Sequence, residues 1–303
     1  MTTIPGIHHV TAISGAPQPN VDFFTGTLGQ KLVKRTVNFD DPGTYHLYYG
    51  DAVGSPGTIL TFFPFADAAP GRAGPGMASA YAYAVPTVDF NRIIDDLAAR
   101  GIASAGQGLR FGERVVTLRD PDGAPVELIE SPDALDAHGF HSVTLWERDP
   151  DRTLRVLTDV FGYQAKGVEH DGATERHRLI APGTERGRIV DVIRVSGAAA
   201  GRPGAGTIHH IAFRTKDDAE QAIWMDRLAA AGHRSTDVKD RQYFNAIYFR
   251  EPGGVLFEIA TDPPGFAIDE PTHALGQALK LPPQYEQMRA RIEWVLPPLH
   301  VRA

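Results

Sequence analysis

Cysteine is absent from the 303-residue sequence. That excludes disulfides, iron–sulfur clusters, thiolate zinc sites and a cysteine nucleophile, so any metal must be held by nitrogen and oxygen. No apolar run reaches the ~18 residues that a membrane span needs. Met1 to Gly6 carry no basic segment leading into an apolar stretch, so no signal peptide is expected and a cytoplasmic setting is the default. Runs of lysine or arginine are also missing. Thirty Lys and Arg stand against 37 Asp and Glu, for a formal net charge of −7. A nucleic-acid partner wants a basic face and is not expected. What is present is ordinary for a folded chain: 42% hydrophobic and 22% charged residues. The length allows one large domain or two of usual size, each with a substantial core.

The sequence repeats itself. Gly6-Ile7-His8-His9-Val10-Thr11 reads like Thr207-Ile208-His209-His210-Ile211-Ala212, and Gly139-Phe140-His141-Ser142-Val143 is a third such start. The apolar run Ala80 to Val85 is a fourth. Asp120-Pro121-Asp122-Gly123 leading to Glu127 reads like Glu251-Pro252-Gly253-Gly254 leading to Glu258. Four modules follow, at 6–65, 79–131, 139–196 and 206–262. Each opens with a strand and continues with a helical stretch: Asn20 to Leu28, Asp89 to Arg100, Asp149 to Phe161, and Asp217 to Ala231. In the last, Asp217 is an N-cap candidate and Gly232 a stop. Three strands separated by Gly, Pro and Asp turns complete each module. The expected fold is therefore α+β: four βαβββ units paired into two half-open β-barrels. By sequence the chain divides into a first pair of modules at 1–135, a second pair at 136–265, and an extension at 266–303 whose Gln284–Leu296 stretch reads as helix.

The duplication supplies an internal comparison. At the strand starts, module one has His9 and module four His210. Module three has Ser142 there, with His141 matching His8, and module two is read as Ala82. In the final strands, module four offers Glu258 and module two Glu127, whereas module one has only Thr61, Phe62 and Phe63 nearby. Modules one and four together can gather two imidazoles and a carboxylate. Modules two and three keep Glu127 alone, which reads as a structural, hydrogen-bonded carboxylate. Two histidines and one carboxylate on one face is the arrangement of non-haem iron(II) oxygenases. It leaves up to three coordination positions open, the number that a bidentate aromatic diol and O₂ require. Alternation along a strand sets His9 and Thr11 toward the same side. His8 and His209 have the opposite parity, so they reach the site only through a bulge or a strand end. His46, His138, His170 and His177 have no role supported by the repeat.

These motifs, with Tyr45-His46-Leu47-Tyr48-Tyr49 and Arg250-Glu251-Pro252-Gly253-Gly254-Val255-Leu256-Phe257-Glu258, resemble the vicinal-oxygen-chelate (glyoxalase/bleomycin-resistance) superfamily. Within it the chain is similar to the hydroquinone ring-cleaving dioxygenases. The resemblance implies iron(II), with manganese(II) an open alternative, held by the residues matching His9, His210 and Glu258. It also implies a surrounding group matching His8, Thr11, His209, Arg241 and Tyr248. Glyoxalase I members use four protein ligands, and the fourth position here falls in Thr61–Phe63, which ligates poorly. The implied activity is ring cleavage of a hydroquinone or catechol with O₂, the implied partners being that small aromatic and O₂. A glyoxalase-like metal-dependent isomerase or lyase and a non-catalytic binder of small aromatics stay open, as does a homo-oligomer.

Overall fold

The computed structural model describes residues 2–183 and 186–301. Module one holds β1 (Ile7–Ser14), α1 (Pro17–Val21), β2 (Lys31–Asn38), β3 (Asp41–Gly50) and β4 (Ile59–Pro64). Module two holds β5 (Met77–Pro86), α2 (Thr87–Ala99), β6 (Gly106–Arg110), β7 (Glu113–Arg119) and β8 (Pro125–Ser131). Module three follows with β9 (Phe140–Trp146), α3 (Pro150–Arg155), β10 (Gln164–Asp171), β11 (Thr174–Ile180) and β12 (Ile189–Val195). Module four has β13 (Thr207–Thr215), α4 (Asp218–Ala230), β14 (Lys239–Asp240), β15 (Phe244–Arg250) and β16 (Leu256–Pro264). The four βαβββ units and the α+β class are as expected.

Two eight-stranded sheets result, ordered β14-β15-β16-β13-β1-β4-β3-β2 and β10-β11-β12-β9-β5-β8-β7-β6. Modules one and four thus build one sheet, and modules two and three the other. Each sheet draws strands from both halves of the chain. In the first, β1 runs antiparallel to β13, while β1 pairs parallel with β4 and β13 with β16.

Alternation decides which side chains face where. On β3, Tyr45, Leu47 and Tyr49 join the main core, and Tyr48 belongs to a second cluster with Phe244, Ala246 and Ala260. On β16, Phe257 and Ile259 take the main-core side, leaving Glu258 and Ala260 on the other. The main core packs against the helices through Trp224 and Leu228 of α4 and extends under the second sheet. The second cluster lines the concave face, where the site lies.

Two helices differ from expectation. The α-helical part of module one stops at Val21 and continues as a π-helix over Asp22–Thr27, and α3 likewise passes into a π-helix at Val156–Val160. Apolar spacing alone does not separate i→i+4 from i→i+5 bonding. The Asp217 cap is present: its carboxylate accepts from the Glu220 amide. In the extension, Pro283–Met288 is a 3₁₀ helix and only α5 (Arg289–Val295) is α-helical. The extension lies along β2, the edge strand. Arg35 bridges Leu279, and the buried Lys34 ammonium meets both Asp269 and Glu270 at 2.5 Å. Covering that edge removes a strand that would otherwise offer unpaired backbone groups.

Candidate metal centre

The histidine pairs sit on two β-bulges. Along β1 and β13, Ile7 pairs with Phe213 and His9 with Ala212, so His8 is an extra residue on β1. Thr11 pairs with His210 and Ala12 with Ile208, so His209 is the extra residue on β13. A bulge re-aims side chains at one point in an otherwise regular strand. Here it brings each odd-parity histidine beside its ligand neighbour.

His9, His210 and Glu258 converge, each offering a ligand atom within 4.8 Å of the others. The His210 Nε2 lies 2.8 Å from Glu258 Oε2, His9 Nε2 lies 3.4 Å from the same oxygen, and the two Nε2 atoms are 3.4 Å apart. Ligands at right angles, each about 2.1 Å from one ion, would be about 3 Å apart. All three residues are buried, and Glu258 is 0% exposed. Apart from these two imidazoles, neither Glu258 oxygen has a hydrogen-bond partner among the described residues. An uncompensated buried carboxylate is costly, and a bound cation offsets that cost. The donor set fits a divalent ion of the iron, manganese or zinc kind.

The remaining ring nitrogens are fixed. His8 Nδ1 lies 2.9 Å from His9 Nδ1, and His209 Nδ1 lies 2.8 Å from His210 Nδ1. Both Nε2 atoms are thereby turned inward, the orienting role that partners of metal-binding imidazoles usually play. Burial alone would raise the Glu258 carboxyl, but His9 and His210 outweigh it and hold it well below the usual carboxylate range. Burial depresses His210, more than Glu258 raises it. Burial and then His9 push His8 down as well. An ionised carboxylate beside neutral imidazoles is the protonation state that ligation needs.

The two bulge histidines end up in different places. His8 is sealed in, its ring 5.2 Å from that of Phe244. His209 stands exposed at the rim of a cavity of about 470 Å³ that the centre opens into. Desolvation of its inner edge and the neighbouring His210 lower its pKa, so it is neutral at pH 7.

Tyr248 and Arg241 form one arm of this cavity. β15 pairs with β16 so that Tyr248 faces Glu258. The Tyr248 and His210 rings meet edge-on at 5.8 Å. Arg241 Nε donates to Tyr248 Oη at 3.2 Å, and its Nη2 reaches Asp40 at 3.2 Å. Burial and then Glu258 raise the Tyr248 phenol well above its ordinary value, overriding Arg241. Tyr248 therefore stays protonated, and since its oxygen accepts from Arg241 its own hydrogen is left for the cavity.

Thr11 is on the same side of the strand as His9 but does not reach the cavity surface. It is fully buried, does not line the cavity, and is 2.9 Å from Thr61 Oγ1. The register is regular from His9 to Thr11, so alternation turns both to one side, but the Thr11 hydroxyl is taken up by Thr61, which in turn meets His46, and it lies covered there. His46, given no role by the repeat, does line the cavity, with Nε2 at 2.8 Å from Thr61 Oγ1 and Nδ1 at 2.8 Å from Tyr48 Oη. The period-2 signal around Tyr45 to Tyr49 would have placed it there. Aromatic and aliphatic walls complete the cavity, among them Phe39, Phe63, Phe65 and Leu256.

Register also locates the equivalents in the second sheet. In the first, the residue two after each ligand histidine pairs with the carboxylate position: Thr11 with Thr61, and Ala212 with Glu258. In the second, Ala82 pairs with Glu127 and Thr144 with Asp191. The histidine positions are therefore Ala80 and Ser142. Ala82 as the module-two equivalent is corrected to Ala80, because Ser79 is a bulge residue that shifts the register. Glu127 is not alone, since Asp191 shares its place, and an aspartate within Ile189-Val190-Asp191-Val192-Ile193 was a signal of the same kind as Glu258. Arg110 binds Glu127 through two bonds of 2.6 and 2.7 Å. Arg178 binds Asp191 through bonds of 2.9 and 3.1 Å, and Arg176 adds one at 3.2 Å.

Two curled sheets of this topology, with a histidine–histidine–glutamate cluster in one of them, define a class. The chain belongs to the Glyoxalase/Bleomycin resistance protein/Dioxygenase superfamily, whose family model matches residues 6–128 and 139–259. It is 44% identical over 311 residues to a Bacillus subtilis (strain 168) protein named as an inferred ring-cleaving dioxygenase, MhqO, covering 98% of this chain and 97% of that one. It is 32% identical over 304 residues to the chlorohydroquinone/hydroquinone 1,2-dioxygenase of Sphingobium indicum, covering 94% of each. A crystal structure of an inferred dioxygenase from Bacillus subtilis subsp. subtilis str. 168 superimposes with a TM-score of 0.93 at 43% identity, covering 100% of this chain and 99% of that one. Among the described residues no helix is long and apolar enough to cross a membrane.

Proposed function

We propose that this protein is an iron(II)-dependent, extradiol-type ring-cleaving dioxygenase that acts on a hydroquinone or catechol with O₂, and that His9, His210 and Glu258 hold the ion. The observation that carries this reading is the fully buried Glu258 carboxylate facing two inward-turned imidazole nitrogens, with no other hydrogen-bond partner among the described residues. The relatives named as ring-cleaving dioxygenases support it. So does the fourth position: it is filled by Thr61, a neutral hydroxyl already bonded to Thr11 and His46. Manganese(II) suits the same donors.

When bound, a divalent ion supplies Lewis acidity that lowers a phenol's pKa, together with open positions for substrate and O₂. The chain's own residues do the rest. The aromatic walls exclude water and hold a flat ring. Tyr248 directs its hydroxyl hydrogen at a substrate oxygen, and Arg241 keeps that hydroxyl oriented. With Nε2 of His210 given to the ion, its Nδ1–H donates to His209 Nδ1, which leaves the one proton of neutral His209 on Nε2. His209 then offers the cavity an N–H, suited to stabilise negative charge as it develops. His8 makes the matching bond to His9 but is enclosed, so it orients His9 rather than touching substrate. Thr11 supports Thr61 from within the sheet.

The test is anaerobic reconstitution with iron(II), and separately with manganese(II), followed by oxygen-electrode screening of hydroquinones and catechols. Stoichiometric O₂ uptake with loss of the aromatic absorbance is expected. Turnover of a hemithioacetal without O₂, and no uptake with any diol, would assign the site to isomerase chemistry instead.

A further inference from the structure

The two walls of the cavity differ in chemistry. The module-four wall carries groups with hydrogens to offer: Tyr248, Arg241 and His209. The module-one wall carries His46, and its ring nitrogens are both occupied, one by Thr61 Oγ1 and one by Tyr48 Oη, each at 2.8 Å. A neutral imidazole has one N–H and one lone pair, and a protonated one has two N–H groups. Either way, both nitrogens are engaged inside the wall. The ring faces are covered too, with Tyr48 at 4.0 Å and 35° and Phe63 at 4.3 Å and 41° between centroids and planes. The chain of bonds continues from Thr61 to Thr11, which is 0% exposed, and so leads into the sheet rather than to solvent. A chain that ends on a buried hydroxyl does not deliver protons. What His46 presents to the cavity is a C–H edge.

We propose that His46 is a specificity-determining residue. Clamped between Tyr48 and Phe63, it completes an apolar wall against which the substituted carbon edge of an aromatic ring packs, while the ring's hydroxyls face Tyr248 and His209. The substrate class is thereby narrowed to hydroxylated rings with an apolar substituent directed at His46. This rests on the function proposed above, and it is read out by binding rather than by turnover.

The experiment uses the full-length, iron-loaded protein and titration calorimetry without O₂, with hydroquinone and tert-butylhydroquinone as probes. His46→Ala opens the wall. It is expected to shift the ratio of the two Kd values by about tenfold or more toward the bulkier probe, the scale of a change of a few carbons in an apolar pocket. His46→Leu restores bulk without nitrogens and is expected to keep the wild-type ratio within about threefold, by the same scale. Under turnover, the pH profile of kcat in the Leu variant retains every ionisation of the wild type. The proposal is overturned if His46→Ala weakens both probes equally. It is also overturned if His46→Leu abolishes kcat while both Kd values hold, since the imidazole would then be taking part in the chemistry. Failure of wild-type protein to bind either probe would instead count against the dioxygenase reading itself.

Discussion

On the concave face of the first sheet, four equivalent positions hold His9, His210, Glu258 and Thr61; on the second they hold Ala80, Ser142, Glu127 and Asp191. Strand order matches between the two, and so do the bulges of the central strand pair, so at these four positions the difference lies in the side chains. In the second sheet the positive charge facing the carboxylates is part of the chain, chiefly Arg110 on Glu127 and Arg178 on Asp191. In the first, the matching arginine, Arg241, is turned away to Tyr248 and Asp40. Both arginines precede a non-glycine residue of positive φ, Phe111 at 49° and Gln242 at 64°. The carboxylates of the second sheet are thus neutralised by guanidinium groups, whereas Glu258 faces the imidazoles of His9 and His210. The same scaffold carries carboxylates closed off by guanidinium groups in one sheet and a carboxylate facing imidazoles in the other, according to the side chains at these positions.

The sharpest way to break this comparison is to remove each glutamate. Glu258→Ala is expected to reduce retained metal to background by elemental analysis and to abolish O₂ uptake, while Glu127→Ala changes neither. Equal metal loss in both variants would dissolve the distinction between the sheets. Next in size, Thr61→Glu supplies the first sheet with a fourth charged ligand. Metal is expected to be retained as tightly or more tightly, with O₂ uptake falling by about a hundredfold because an open position is filled. Tyr248→Phe leaves metal content intact and lowers kcat by about a hundredfold, the usual cost of a lost charge-stabilising donor.

Smaller effects test the second sheet. Arg110→Met strands Glu127 and is expected to cost about 3–5 kcal/mol in chemical denaturation, with turnover per folded molecule unchanged. Pairing it with Glu127→Leu restores most of that stability. The smallest effect concerns Glu147, at the end of β9. Burial, and then the facing Glu251, raise its pKa from 4.5 to about 8. The folded state therefore holds a proton that the unfolded state releases, and stability falls as pH rises between these values and is level above them. Glu147→Gln removes that dependence. Its melting temperature should equal the wild-type value near pH 4 and exceed it by a few degrees near pH 8. A difference that shrinks toward pH 8 would contradict the assignment.

Much of this architecture was legible because the gene is repetitive. Four recurring strand starts and two recurring turn–carboxylate segments gave the modules, their pairing and the His9–His210–Glu258 set without any contact information. What escaped has physical causes. A β-bulge inserts one residue without a sequence mark, so Ala82 read as the module-two equivalent where register gives Ala80. Thr11 shares the side of His9 as its parity indicates, but its bond to Thr61 keeps it from the cavity surface, which alternation alone does not reveal. Asp191 and His46 were visible as polar residues in apolar alternation. Each appears once, and a repeat singles out only positions that recur. The π-helical turns leave the apolar spacing of an α-helix nearly intact and could not be told apart by it.

The joint between β1 and β13 carries one more consequence, for biosynthesis. His9 and His210 are 201 residues apart along the chain, yet their imidazoles meet across adjacent strands. Contacts of that sequence separation form late. A nascent polypeptide has no assembled cluster until the segment carrying Glu258 has left the ribosome, so metal capture by these three residues would wait on the synthesis of module four. An ion held there would clasp β1 to β13 and β16, and chelation is then expected to loosen that seam before any other part of the molecule.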